Sequence, residues 1–151
     1  ELVKIPDLSA LFIPTSSGTT LQGLYAWFTA ENRPLPELHL VQTTSCHPLV
    51  DAIFRARALP LPTTTPEPSL AKSIVDIVAY RAPAVTQAVI ASNGNGWIVN
   101  NEELQAAIDL VHTTNDLAIS PTSALTIAAV RQALASGWTP RGAIACLITG
   151  A

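Results

Sequence analysis

Apolar and polar positions alternate along this chain in runs that are typical of strands followed by helices. Residues 10–13, ALFI, form a short apolar run that predicts a buried strand. Residues 37–44, ELHLVQTT, predict a second strand. Between them, apolar side chains recur at helical spacing at Leu21, Leu24, Tyr25 and Phe28. A strand, a helix and a strand in about thirty residues predict a βαβ unit with parallel strands and a right-handed crossover.

The rest of the chain continues this alternation. Further helices are predicted over 48–57, 69–79, 83–92, 100–114 and 120–135, and further strands over 96–100, 117–120 and 143–151. The proline- and threonine-rich segment 58–69 is expected to be a long surface loop. Asn100 and Glu103 have the spacing of a capping box, and Ser120-Pro121 is a typical helix start. These elements predict a single three-layer αβα domain, Rossmann-like with a mostly parallel sheet, over residues 1–151.

Five small residues join the first strand to the first helix: Ser16, Ser17, Gly18, Thr19 and Thr20. Such a loop presents backbone N–H groups and hydroxyls at the positive end of a helix, which favours binding of an anion, most often a phosphate. The loop also follows a strand of the parallel sheet, at the edge where such sheets bind ligands. Plain N-capping by serine or threonine is the alternative. Because neither G-x-x-x-x-G-K-[ST] nor G-x-G-x-x-G occurs, a nucleoside triphosphatase or nicotinamide-binding domain is disfavoured.

The composition predicts a protein partner rather than nucleic acid or a membrane. Charged residues make up 13% of the chain, against about 25% in typical domains, and the mean hydropathy is +0.34. We therefore expect a large apolar face that another copy or another segment of protein covers, with an alanine-rich, well-packed monomer as the alternative. The net charge of −3, without a basic run, disfavours nucleic acid. No apolar run approaches the roughly 18 residues of a membrane-spanning helix.

Cysteine and histidine usage indicates neither a disulfide framework nor a metal site. Cys46 and Cys146 lie far apart, and two such cysteines in an intracellular α/β chain are more often reduced. His39, His47 and His112 are scattered without metal-ligand spacing. We therefore expect a cytoplasmic protein without a metal. Its first residues, ELVKIPDL, have no signal-peptide layout and read as if cut from a longer chain.

The order of these segments resembles that of a known family. The loop segment IPTSSGTTLQG is followed by HLVQTTSCHPLVDAI, GWIVNNEELQAAI, ISPTSALTIAAVRQAL and CLITG. This order resembles the carboxyl-terminal half of the fold type II pyridoxal-phosphate enzymes and is most similar to that of the threonine synthases. The resemblance covers nearly the whole chain, is weak over residues 58–70, and depends on order and spacing rather than on one motif. It implies the large domain of the tryptophan synthase β-like fold and a role in amino-acid biosynthesis.

The resemblance also implies roles for particular residues. The hydroxyls and N–H groups of Ser16, Ser17, Gly18, Thr19 and Thr20 would hold the 5′-phosphate of pyridoxal phosphate. The hydroxyl of Thr149, in the terminal TG, would contact the pyridine nitrogen. A neutral hydroxyl there leaves the nitrogen largely unprotonated, which favours β- or γ-replacement and elimination. The cofactor-binding lysine of the family lies in the amino-terminal half, and neither Lys4 nor Lys72 matches its setting. We therefore expect this chain to carry no catalytic residue and to be inactive alone.

Three kinds of function are compatible with these observations. The first is a fragment or separately encoded half of a threonine-synthase-like lyase, which converts O-phosphohomoserine and water to threonine and phosphate. The second is a stand-alone module that binds a phosphate or cofactor without chemistry. The third is a structural or regulatory remnant that associates through its apolar face. Serine or threonine dehydratase, cysteine synthase, tryptophan synthase β and aminocyclopropane-carboxylate deaminase are the alternatives for the reaction.

Overall fold

A sheet of four parallel strands forms the centre of the structure, a computed structural model that describes residues 2–150. The strands are β1 (Leu8–Pro14), β2 (Glu37–Thr43), β3 (Gly96–Val99) and β4 (Ala143–Cys146). Their order across the sheet is β3-β2-β1-β4, and each neighbouring pair is parallel. The predicted mostly parallel sheet and the parallel pairing of the first two strands are therefore confirmed.

Helices cover both faces of this sheet. They are α1 (Thr19–Ala30), α2 (Pro48–Ala56), α3 (Ala82–Ala91), α4 (Asn101–Asn115) and α5 (Pro121–Ala135), preceded by a short 3-10 turn at Leu2–Lys4. On one face, Leu11 and Ile13 of β1 pack against α1, α2 and α3. On the other face, Ala10 and Phe12 pack against α4 and α5. The alternation of side chains along β1 thus supplies two cores, and the three-layer α/β architecture is confirmed.

Local capping signals fix where α4 and α5 begin. Asn100 Oδ1 accepts the Glu103 N–H at 2.8 Å, and the Asn100 N–H donates to Glu103 Oε2 at 2.9 Å. The Ser120 hydroxyl accepts the Ser123 N–H at 3.3 Å. Both predicted helix starts are therefore confirmed. No helix among residues 2–150 is both long and apolar enough to cross a membrane.

The predicted helix over residues 69–79 is wrong. The backbone makes only turns here, and the N–H groups of Val75 and Asp76 donate to the Ser16 hydroxyl at 3.1 and 3.2 Å. In a helix, those two N–H groups would instead donate to the carbonyls four residues earlier. The segment is also rich in β-branched side chains, which lose side-chain freedom in a helix. Ile77, an apolar residue of the predicted helix, is 83% exposed.

The predicted strand over residues 117–120 is also wrong. Ile119 is buried, but Ser120 already caps α5, so too few residues remain for a strand. The Ser120 N–H donates instead to Gly150 O at 3.3 Å. The predicted last strand is real but shorter and only half-buried, because β4 ends at Cys146 and residues 147–150 continue without regular structure. Ala151 lies outside the described residues.

Candidate cofactor-phosphate site

The Ser16–Thr20 loop lies beside the point where the strand order reverses. Along the chain, β1 leads to β2 on one side, whereas β4 pairs with the other side of β1. The Leu147 N–H donates to Phe12 O at 3.1 Å, so the segment after β4 leaves the sheet beside the loop after β1. The loop after β1 leads to α1 on one face of the sheet, and the segment after β4 contacts α5 on the opposite face. A crevice between two such connections is the usual ligand site of parallel α/β sheets.

The amino terminus of α1 has no side-chain cap. Gly18 is the N-cap residue, and the first helical hydrogen bond runs from the Gln22 N–H to Gly18 O at 3.0 Å. The preceding N–H groups have no partner within the helix. The nearby hydroxyls of Ser17 and Thr19 bond to each other at 3.0 Å instead of capping it. The N-capping alternative therefore does not describe this helix, and its first N–H groups can bind an anion.

Gly18 fixes the shape of the loop. Its φ of +88° is in the left-handed region, where glycine is least strained. A β-carbon at this position would lie 2.5 Å from Val85 Cγ2 on α3, closer than any real contact of that kind. The loop is therefore packed directly against the start of α3, and a side chain at residue 18 would force the two apart.

A carboxylate of the chain itself lies at the loop. The Ser16 hydroxyl donates to Asp76 Oδ2 at 2.9 Å, and Ser16 Oγ also accepts the N–H groups of Val75 and Asp76. Ser16 is therefore committed to a tertiary contact in this structure. The remaining loop residues, Ser17 to Thr20, offer the free donors.

A small cavity opens beside Ser17. Its volume is about 420 Å³, and it is lined by Ser17, Asp76, Val78, Tyr80 and Arg81. Sequence reasoning missed Asp76 and Arg81, because both lie about sixty residues from the loop and the segment was expected to be helical. A larger cavity of about 640 Å³ lies along β3 beneath residues 62–67, away from this loop.

Thr149 lies on the other side of the crevice. Its N–H donates to Ser123 Oγ at 3.2 Å, and the carbonyl of Gly150 accepts hydrogen bonds from Ser123 Oγ and Ser120 Oγ at 2.8 and 3.1 Å. The start of α5 thus holds this segment by its backbone. The Thr149 side chain is exposed and makes no hydrogen bond to any residue of the described range 2–150. Its hydroxyl is therefore available to a ligand.

The other groups that could react are poorly placed. Lys4 precedes β1 and lies at the opposite edge of the sheet, while Lys72 is exposed on the connection before α3. Cys46 and Cys146 are free. Burial raises the pKa of both thiols, and the Asp76 carboxylate raises that of Cys46 further. Neither cysteine is therefore an activated thiolate nucleophile.

A family model described as "pyridoxal-phosphate dependent enzyme" matches residues 1–150. The chain belongs to the pyridoxal-phosphate dependent enzyme family. A cysteate synthase of Methanoculleus marisnigri is 28% identical over 152 positions, which cover 89% of this chain and 34% of that enzyme. A threonine synthase of Methanocaldococcus jannaschii is 27% identical over 154 positions, which cover 97% of this chain and 37% of that enzyme. The chain thus spans about a third of the length of these relatives.

Solved structures show the same fold. The processed form of threonine deaminase isoform 2 from Solanum lycopersicum superposes with a TM-score of 0.75 over 99% of this chain and 42% of that chain, at 19% identity. The expected tryptophan synthase β-like fold of the type II pyridoxal-phosphate enzymes is therefore confirmed, as is pyridoxal phosphate as the cofactor of the family. The uncapped α1 terminus, the side-chain-free Gly18 and the unpartnered Thr149 hydroxyl fit that cofactor.

Proposed function

We propose that this chain is the carboxyl-terminal part of a threonine-synthase-like enzyme and forms the cofactor's phosphate cradle. The observation that carries the proposal is the uncapped amino terminus of α1, which follows β1 at the point of strand reversal, beside the segment that leaves β4 toward Thr149. The complete enzyme would convert O-phosphohomoserine and water to threonine and phosphate. A cysteate synthase and a threonine synthase match at nearly equal identity, so cysteate synthesis is the second candidate reaction.

The chain's own residues would bind and orient the cofactor. The N–H groups at the start of α1 and the hydroxyls of Ser17, Thr19 and Thr20 would donate to the oxygens of the 5′-phosphate, whose negative charge the helix dipole stabilises. The Thr149 hydroxyl would donate to the pyridine nitrogen without protonating it, since an alcohol is a very weak acid. When bound, pyridoxal phosphate supplies an electron sink for chemistry at the α-carbon of an amino acid. The nucleophilic lysine and the substrate-carboxylate pocket would come from outside this chain.

A complementation experiment tests the proposal. The chain is mixed with an amino-terminal half of a threonine synthase that carries the cofactor-binding lysine, and pyridoxal phosphate is added. We expect the absorption band of lysine-bound cofactor to appear, followed by phosphate release from O-phosphohomoserine. The chain with Gly18→Ala serves as the matched control and should give a much weaker band. A folded complex without the band would contradict the proposal.

A non-catalytic binding module is the alternative that the same loop supports. It is favoured by the exposed positions of Lys4 and Lys72, neither of which is packed in a pocket. This alternative predicts that the isolated chain is stabilised by phosphate compounds but that no amino-terminal half restores a band. The complementation experiment therefore separates the two functions.

A further inference from the structure

The cavity at the phosphate loop contains one cation among its five lining residues. Ser17 contributes a hydroxyl and Tyr80 a phenol, Asp76 contributes a carboxylate, and Arg81 contributes a guanidinium. Arg81 is also the N-cap residue of α3. Because Gly18 lies against Val85 in the first turn of α3, the loop and the start of α3 are held at contact distance. Arg81 therefore cannot move far from the loop without unpacking α3.

Arg81 is held close to the loop by a weak, replaceable partner. Its Nη1 donates to Gln22 Oε1 at 2.8 Å. Gln22 lies in the first turn of α1, where the Gln22 backbone N–H donates to Gly18 O. The partner is a neutral amide on the protein surface, and it uses one of the five N–H donors of the guanidinium. The contact is exposed, so turning the side chain toward the cavity costs little.

The charges at the loop explain why a cation is needed there. The Asp76 carboxylate accepts the Ser16 hydroxyl at 2.9 Å, so a phosphate dianion at the same loop would meet a like charge. A guanidinium binds phosphate oxygens in a bidentate manner and carries a permanent charge. Arg81 is the cation that lines this cavity and can offset the repulsion.

We propose that Arg81 is a phosphate-binding residue, whose guanidinium turns from Gln22 to a phosphomonoester seated on the Ser17–Thr20 donors. This inference rests on the proposed function, because it assumes that the start of α1 cradles a phosphate. In the complete enzyme this phosphomonoester would be the 5′-phosphate of pyridoxal phosphate, because the proposed function assigns those donors to the cofactor.

The test is a titration of the 151-residue chain and its variants, followed by thermal melting and by ³¹P NMR line broadening. The probes are inorganic phosphate, pyridoxal phosphate, O-phosphoserine and, as a phosphate-free control, pyridoxal. Arg81→Gln should weaken binding of the phosphate probes by about tenfold or more, since it removes a charge-assisted hydrogen-bond pair. Arg81→Lys should retain an intermediate affinity. Arg141→Gln, the same change at an exposed site before β4, should have no effect.

The outcomes separate this inference from the proposed function. If the unsubstituted chain binds pyridoxal phosphate and Arg81→Gln binds it equally well, the proposed role of Arg81 is wrong, whereas the phosphate site at the start of α1 is supported. If the unsubstituted chain binds no phosphate probe, both the role of Arg81 and the proposed phosphate site are contradicted. Weaker binding of inorganic phosphate, O-phosphoserine and pyridoxal phosphate alike in Arg81→Gln supports the proposal, whereas weaker binding of O-phosphoserine alone would overturn a role at the cofactor's phosphate. Gln22→Ala, which removes the resting partner, should bind at least as tightly as the unsubstituted chain.

Discussion

Gly18 is required for two reasons, because its backbone is left-handed and because it packs against α3. Gly137 shares only the first of these features, so a comparison of the two glycines separates their effects. Gly137 has nearly the same φ, +91°, but a β-carbon there would meet nothing within 4 Å. Gly137→Ala should therefore cost only the backbone strain of roughly 1 kcal/mol. Gly18→Ala should cost more, because it also collides with Val85, and should abolish stabilisation by phosphate. Urea unfolding with and without phosphate measures both effects. Equal losses in the two variants would contradict the packing account of the loop.

His39 is a buried histidine that stays neutral in the folded chain. It is 1% exposed and stacks on Phe12 with ring centroids 4.3 Å apart. Its Nδ1 accepts the Trp97 Nε1–H at 3.1 Å, which fixes the other nitrogen as the protonated one. That Nε2 lies 3.3 Å from Glu37 Oε2, outside hydrogen-bond geometry. Burial lowers the pKa of His39 to about 4 despite the opposing charge of Glu37, and Arg57 lowers it slightly further.

This histidine makes the stability of the chain depend on pH. Since the pKa is about 4 when folded and 6.5 when unfolded, the unfolded chain binds the proton first as the pH falls. The free energy of unfolding should therefore be constant above about pH 6.5 and fall by roughly 3 kcal/mol toward pH 4. His39→Asn, which keeps an acceptor for Trp97, should flatten this part of the profile. His112→Asn, on the exposed surface of α4, is the control and should leave the pH dependence of the unfolding free energy unchanged. An unaltered slope in His39→Asn would contradict the assignment of this pH dependence to His39.

At the scale of elements, one hydroxyl joins the loop after β1 to the connection between α2 and α3. Ser16 Oγ accepts the N–H groups of Val75 and Asp76 and donates to the Asp76 carboxylate. Ser16→Ala should accelerate hydrogen exchange of those two amides by about tenfold, because each loses a partner. Ser17→Ala is the matched control, since its hydroxyl contacts only Thr19. If exchange at residues 75 and 76 is equally slow in both variants, another contact holds the segment.

The elements that the sequence predicted correctly are those whose signals are local. The capping pair Asn100 and Glu103 fixes the start of α4 within four residues of chain. Parallel strands share their carboxyl edge, so the sequence also predicts that the Ser16–Thr20 and Thr149 segments follow their strands at the same edge of the sheet. By contrast, the 69–79 segment is held by a hydroxyl 60 residues away. Helical periodicity carries no information on such a contact, and the positions of Asp76 and Arg81 at the loop were missed for the same reason.

At the scale of the whole molecule, four exposed apolar side chains lie close together on the segment before α3. Val75, Ile77, Val78 and Tyr80 are 59%, 83%, 56% and 88% exposed. They flank the Ser16–Thr20 loop, so we expect this patch to meet the amino-terminal half or a second copy of the chain. Replacing Ile77 and Val78 with glutamate should shift a self-associating chain toward monomer in sedimentation equilibrium. Leu110→Glu with Leu134→Glu, at exposed positions of α4 and α5, is the control. A chain that is monomeric before any substitution at micromolar concentration would contradict self-association through this patch.

The proposed role of this chain in cofactor binding requires that the start of α1 binds the phosphate of pyridoxal phosphate. The most direct measurement is thermal melting of the isolated chain with pyridoxal phosphate, inorganic phosphate or pyridoxal. We predict that both phosphate compounds stabilise the chain, by about 2.7 kcal/mol at a hundredfold excess over Kd, without the absorption band of lysine-bound cofactor, and that pyridoxal does not. If neither phosphate compound stabilises the chain, the Ser16–Thr20 loop is not a preformed cradle, and the central claim is contradicted.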